Sequence, residues 1–332
     1  MYVSVLLLSV AFACAARQAP LLRLRDGRRM PALALGTWLG HAYTSQLQPA
    51  SDEVERAVSW ALQAGYRHVD TAARYQVEGQ LGRALAAAAL PREQLFVTTK
   101  LWNDAHAQDA VAPALRASLT RLGLDYVDLY LMHWPVGQFA NLTYDYTDYL
   151  ETWRGMAAAQ RQGLARSIGV SNFNQDMMER IREHGLPTPA VLQVEINLNL
   201  QQPSLLSYCR AHNITVMGYT PFGSLFPNKA APHAPPPRVD DPALVAMATK
   251  YNKTVPQVVL RYLVELGVAP IPKSVTKTRI EQNIDVFDFS LSESDKGLLR
   301  GYDRGYRTIP QLKWLDHPYY PFEKNHTIGK TR

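Results

Sequence analysis

Short apolar, β-prone runs recur eight times along this chain, and a longer amphipathic stretch separates each from the next. The runs are Leu33–Thr37, His68–Ala72, Phe96–Lys100, Val127–His133, Ala165–Ser171, Val191–Ile196, Thr215–Thr220 and Gly267–Pro272. Between them, Val54, Ala57, Val58, Ala61 and Leu62 keep helical spacing, opened by Ser51-Asp52-Glu53 and closed by Gly65. Helical patterns also cover Gln80–Ala88, Asp109–Leu122, Leu150–Gln162, Asp176–Glu183, Ser204–His212, Pro242–Tyr251, Val255–Leu266 and Thr278–Val286. Strands that alternate with helices argue for a parallel sheet. With 332 residues and no break in composition, the expected fold is α/β, one closed (β/α)8 TIM barrel. The rival, a doubly wound sheet, needs a glycine-rich turn after its first strand. Gly36-Thr37-Trp38-Leu39-Gly40 does not supply the G-x-G-x-x-G spacing.

Ahead of the barrel, Leu22 to Met30 reads as a β-hairpin about Asp26-Gly27. The segment from Leu225 to Val239 holds Pro227, Pro232, Pro235, Pro236 and Pro237. Fixed φ angles and missing N–H donors exclude helix and central strand there, so a long loop that shapes the site is expected. Residues 1–16 combine an apolar run with the small residues Cys14-Ala15-Ala16, the pattern of a secretory signal peptide. The mature domain is then 17–332 and the localisation secreted. The alternative is a cytoplasmic chain whose first segment is a buried strand or helix. Asn141, Asn213, Asn252 and Asn325 each begin an N-x-Thr sequon, and a glycoprotein is expected. Asn213, beside a strand start, is expected to be the less accessible. Removal of Cys14 would leave Cys209 alone, a buried apolar residue on a helix. The net charge of +6 is scattered, which gives a mild attraction for phosphate-bearing ligands. A basic stripe, zinc-finger spacing and a membrane-length apolar run are all missing, so neither nucleic acid nor membrane is an expected partner. A monomer is expected.

Four groups suited to proton transfer fall near strand ends. Asp70 closes the second run and Tyr75 lies just beyond it. Lys100 closes the third and His133 the fourth. In a barrel these ends share one mouth. A phenol with a pKa of about 10 is a poor acid at neutral pH. An adjacent ammonium favours its phenolate, a carboxylate keeps that ammonium charged, and an imidazole can hydrogen-bond a substrate oxygen. The set suits protonation of a carbonyl oxygen. No hydroxyl sits in a nucleophile motif, and His133 has no ligand partner at helical spacing, so no metal is expected.

Met30-Pro31, Leu35-Gly36-Thr37-Trp38, Gly65–Ala72, Gly169-Val170-Ser171-Asn172-Phe173-Asn174 and Ile271-Pro272-Lys273-Ser274-Val275 resemble the aldo-keto reductases in the right order, from about Leu22 to Phe322. The resemblance implies NADPH-dependent reduction of aldehydes or ketones, with Asp70, Tyr75, Lys100 and His133 catalytic. It implies that Ser171, Asn172 and Gln193 hold the nicotinamide carboxamide and that Tyr219 stacks on the ring. Thr37 and Trp38 border the cofactor, and Thr220, Phe222 and Ser224 approach the pyrophosphate. Lys273, Ser274, Val275, Thr276 and Arg279 surround the adenosine phosphate, with Gln282 and Asn283 near the adenine. Gln282 stands where many relatives carry Glu. Two cations at the 2′-phosphate favour NADPH over NADH. Trp38, Trp102 and Trp134 would line a substrate mouth left more open by a short Val136–Tyr149 segment.

Aromatic walls suit apolar carbonyl compounds, including flat ring systems. With a leader and sequons, the chain resembles insect haemolymph reductases of ketosteroids such as 3-dehydroecdysone. Two other readings stand beside reduction: a cofactor-binding barrel without turnover, and an isomerase that uses Tyr75 or His133 as a base.

Overall fold

The computed structural model describes residues 18–40 and 52–324. The leader over 1–16, the Ser51 cap and the Asn325 sequon lie outside them. Eight parallel strands form one sheet: β3 (Leu35–Gly36), β4 (His68–Asp70), β5 (Phe96–Leu101), β6 (Val127–Met132), β9 (Ala165–Ser171), β10 (Val191–Glu195), β11 (Thr215–Tyr219) and β12 (Val268–Ile271). Each pairs with its neighbours in that order. The seam closes where Ala34 N donates to Pro270 O (3.2 Å) and Gly36 N to Pro272 O (3.0 Å), with a parallel bridge between Gly36 and Lys273. The sheet is therefore the expected barrel. Its strands end within a few residues of the apolar runs, and the first is reduced to two paired residues.

The N-terminal hairpin pairs β1 (Leu21–Arg23) with β2 (Arg29–Pro31) about Gly27, whose φ of +86° suits glycine. Its Leu24 and Met30 are buried with Phe96, Leu129, Leu131 and Met217 inside the barrel. Because Phe96 begins its strand, the hairpin stoppers the N-terminal end. The opposite end is left for chemistry.

Helices fill the gaps as the periodicity requires. In α1 (Glu53–Gln63), Val54, Ala57, Val58, Ala61 and Leu62 form the buried stripe. The remainder are α2 (Glu78–Ala87), α3 (Val111–Leu122), α4 (Tyr149–Arg161), α5 (Gln175–Glu183), α6 (Pro203–Ala211), α7 (Pro242–Lys250), α8 (Val255–Glu265) and α9 (Lys277–Ile284). Helix α8 opens on a capping box: Thr254 Oγ1 accepts from Gln257 N, and Gln257 Oε1 accepts from Thr254 N. Cys209 is buried in α6, which agrees with its apolar reading.

Two features were not legible in the pattern. Helix α10 (Glu293–Arg300) buries only Leu299, so almost no apolar stripe marks it. A small hairpin of β7 (Gly137–Gln138) and β8 (Tyr144–Asp145) occupies the segment after His133. In the proline-rich loop, carbonyls without a ladder are satisfied by two side chains. The Arg238 guanidinium donates to the carbonyls of Ala234, Pro235 and Pro237, and Asn199 Nδ2 donates to Pro236 O. Asn213 is exposed, contrary to expectation, because it turns the chain between α6 and β11 before the strand begins.

His68 is fully buried, with Nε2 2.9 Å from Thr98 Oγ1 and Nδ1 3.3 Å from Pro31 O. Burial pushes its pKa down to about 3. The unfolded chain therefore binds more protons than the native one between pH 6.5 and about 3, and stability falls as pH falls through that window. Acidification from pH 7 to 4 should cost about 3 kcal/mol through this residue alone. Urea unfolding of wild type and His68→Gln over that range checks it, and the variant should show the shallower pH slope.

Candidate active site

The four proton-transfer candidates meet at the C-terminal end of the barrel. Asp70 is the last residue of β4. Tyr75 sits on a single 3-10 turn, Ala73–Tyr75, which carries the phenol back over the strand end. Lys100 lies inside β5 and His133 directly after β6. Lys100 Nζ donates to Asp70 Oδ1 at 2.6 Å, to Thr71 O at 2.9 Å and to Tyr75 Oη at 3.4 Å. Lys100 has no solvent exposure and Asp70 is 3% exposed, so the pair is held out of water. Burial lowers the Lys100 pKa from its usual value, while the Asp70 carboxylate opposes that shift. The Tyr75 ring stands edge-on to the His133 ring, with centroids 5.6 Å apart. Burial, then the Lys100 and Arg74 charges, hold His133 well below its ordinary pKa, so the imidazole is neutral. A phenol beside an ammonium and a neutral imidazole can give a proton and a hydrogen bond to the same oxygen.

Asp70, Tyr75 and His133 line one end of a cavity of about 850 Å³. Thr37, Trp38, Ser171, Asn172, Gln193 and Tyr219 line its neighbouring walls. These polar groups are mutually oriented. Gln193 Nε2 donates to Asp70 Oδ2 (2.7 Å), Asn172 Nδ2 to His133 O (2.9 Å) and Tyr219 Oη to Asn172 Oδ1 (2.7 Å). Thr220 and Phe222 continue the wall toward a basic far end. There Lys273, Ser274, Val275, Thr276, Arg279, Gln282 and Asn283 precede or form the first turns of α9.

Three expected residues are not among those that line the cavity. Lys100 backs Asp70 and Tyr75. Ser224 is 1% exposed, and its Oγ has no hydrogen-bond partner. Trp102 packs its ring 5.2 Å from His133 and 6.2 Å from Trp314, with the Arg74 guanidinium over its face. The mouth is instead walled by Trp38 and Trp134.

Other lining residues carried no sequence signal strong enough to pick them out. Phe226, Asn228 and Lys229 come from the proline-rich loop, whose composition marked the loop but not its contacts. The Lys229 charge adds to burial in lowering the Lys273 pKa, so two cations face one space. Ile309 and Gln311 come from the C-terminal segment. Fully buried Glu195, at the end of β10, fixes that segment by accepting from Thr308 N (2.7 Å) and Ile309 N (2.9 Å). Burial raises the Glu195 pKa against the pull of those bonds.

The donor set fits an elongated ligand with a flat polar ring at the tyrosine end and anionic groups at the lysine end. Between the ends, Gly223 packs tightly against Asn197. Gly223 has a φ of +46°, and a Cβ there would lie 2.6 Å from the Asn197 side chain. The unpartnered Ser224 hydroxyl follows it. Among the described residues no cluster of three His, Cys, Asp or Glu could hold a metal, and no helix is long and apolar enough to cross a membrane.

Comparison with known proteins gives consistent likenesses. The Aldo/keto reductase family profile matches residues 32–303. Aldo-keto reductase AKR2E4 of Bombyx mori is 49% identical over 308 residues, 92% of this chain and 99% of that protein. Its crystal structure in complex with NADP superposes with a TM-score of 0.87 at 48% identity, over the same shares of each chain. The structure of AKR2E5 complexed with NADPH gives a TM-score of 0.88 at 43% identity and covers 92% of this chain and 94% of that one. A vertebrate relative, aldo-keto reductase family 1 member A1 of Xenopus tropicalis, is 40% identical over 90% of this chain and 96% of its own length.

Proposed function

This chain belongs to the aldo-keto reductase family as an NADPH-dependent carbonyl oxidoreductase, and from that premise we propose that Tyr75 is its general acid and a ketosteroid its substrate. The observation that carries the proton-transfer assignment is the buried Lys100 ammonium, 2.6 Å from Asp70 Oδ1 and 3.4 Å from Tyr75 Oη at the cavity wall. Bound NADPH supplies the hydride. The chain supplies the proton and the geometry. His133, neutral and beside the Tyr75 ring, donates a hydrogen bond to the carbonyl oxygen and orients it. Tyr75 Oη passes its proton to that oxygen, and Lys100 stabilises the phenolate left behind. Asp70 keeps Lys100 charged where burial would strip its proton.

The cofactor is assigned along the length of the cavity. Ser171, Asn172 and Gln193 hold the carboxamide, and Tyr219 offers its ring face to the nicotinamide. Thr37, Trp38, Thr220 and Phe222 border the middle, with Ser224 behind them, and this stretch is assigned to the pyrophosphate. Lys273 and Arg279 take the 2′-phosphate by charge-assisted hydrogen bonds, with Ser274, Val275 and Thr276 beside them and Gln282 and Asn283 at the adenine. A non-catalytic cofactor-binding barrel would gain nothing from burying the Lys100–Asp70 pair beside a phenol, which costs desolvation.

The ketosteroid assignment is supported by the aromatic and aliphatic walls at the tyrosine end, Trp38, Trp134 and Ile309. The secretory reading adds to it: a leader over 1–16, a mature domain over 17–332 acting as a monomer, and exposed sequon asparagines at 141, 213 and 252.

Tyr75→Phe should lower kcat about 10²- to 10⁴-fold while leaving the Kd for NADPH, read by fluorescence titration, unchanged. Arg279→Ala should weaken NADPH by about 1.5 kcal/mol, roughly tenfold in Kd, and leave NADH almost untouched. Initial rates across ketosteroids, short aldehydes and sugars should give the highest kcat/KM for ketosteroids; preference for sugars or short aldehydes removes that assignment and leaves the reductase standing.

A further inference from the structure

The turn of the β7–β8 hairpin combines an exposed aromatic ring with a sequon. Phe139 N donates to Thr143 O and Leu142 N donates to Phe139 O, each at 2.9 Å, so residues 139–143 close a tight five-residue turn. Leu142 takes a φ of +69°, a left-handed conformation that lets the chain reverse within this length. Asn141 stands at the tip, exposed. Its Oδ1 accepts from Thr143 Oγ1 at 2.6 Å and from Thr143 N at 3.1 Å, which places the hydroxyl of the sequon against the amide to be modified. Phe139, two residues earlier, is 53% exposed. A ring face carries negative quadrupole charge, and the C–H groups on one face of a pyranose are positively polarised, so the two attract.

We propose that Asn141 carries an N-linked glycan whose first sugar lies over the Phe139 ring. The bond formed runs from Asn141 Nδ2 to the anomeric carbon. The bond broken joins that carbon to a lipid diphosphate oligosaccharide donor; the lipid diphosphate leaves and the amide gives up one proton. Nothing is oxidised or reduced. The proposal rests on the secretory reading of the N-terminus, since the donor belongs to that route.

The other described sequons are less well built. Asn213 and Asn252 are exposed, but the Thr254 hydroxyl is committed to the α8 capping box, and Thr215 opens β11 in register with Val191. Ala211 and Lys250, two residues before them, offer no aromatic face. The hairpin also touches the C-terminal segment: Tyr144 Oη donates to Lys313 O at 2.9 Å, and His317 Nε2 lies 3.1 Å from Asp145 O. A glycan at Asn141 would therefore stand beside the segment that walls the substrate end.

Peptide mapping by mass spectrometry tests this on the full chain expressed in insect cells, once with its own N-terminus and once behind a leader of proven secretion. Both forms should leave the cell with Asn141 modified. Thr143→Ala should abolish the modification, and Phe139→Ala should lower its occupancy without changing Asn213 or Asn252. The Tm of the modified protein should exceed that of Asn141→Gln, and Phe139→Ala should erase the difference. An unmodified Asn141 behind the added leader overturns the proposal. Modification behind the added leader but an intracellular, unmodified native chain overturns the secretory reading and, with it, modification of the natural protein. Unchanged occupancy and Tm in Phe139→Ala overturn the part given to the ring. Carbonyl reduction is read separately, so none of these outcomes depends on it.

Discussion

An ammonium with no access to water organises this molecule. Lys100 has no solvent exposure, and burial of a lone cation would cost several kcal/mol. Its three partners come from one stretch at the end of the neighbouring strand: Asp70 at the strand end, the Thr71 carbonyl next to it and Tyr75 on the following turn. Only a sheet that sets β4 beside β5 in parallel register brings them together. The closed barrel is thus a condition for the charge to exist where it does, and in the proposed mechanism that charge acts on the phenol.

The same dryness separates the roles of the two ionisable rings and chains around it. Burial pushes both Lys100 and His133 toward their neutral forms. Asp70 opposes that for Lys100. Among the described residues no carboxylate opposes it for His133, and the Lys100 and Arg74 charges add to it, so the imidazole stays neutral. One site thereby holds a charged amine and an uncharged imidazole, which the proposed mechanism gives different tasks.

Much of this was legible before any coordinates. Alternating apolar runs specified the barrel because strand and helix periods differ, and Asp-Gly specified the entry hairpin because its turn needs positive φ. Asp70, Lys100 and His133 stood out as polar residues that end apolar runs. What the pattern missed lacked a period. Helix α10 buries a single leucine. Ile309 and Gln311 reach the cavity from a segment that distant Glu195 holds at the Thr308 and Ile309 N–H groups, a contact across more than a hundred residues that leaves no local trace. Trp102 stood out by its type and place, but its packing against Trp314 and under an arginine left no local trace.

The anchorage by Glu195 has an evolutionary corollary. Its carboxylate accepts from the main-chain N–H groups of Thr308 and Ile309. Any residue other than proline preserves those two donors. The path of the C-terminal segment is therefore uncoupled from the identity of the side chains it displays, and descendants of this chain could refashion what the mouth admits by substitution at these positions while the barrel beneath stays as it is.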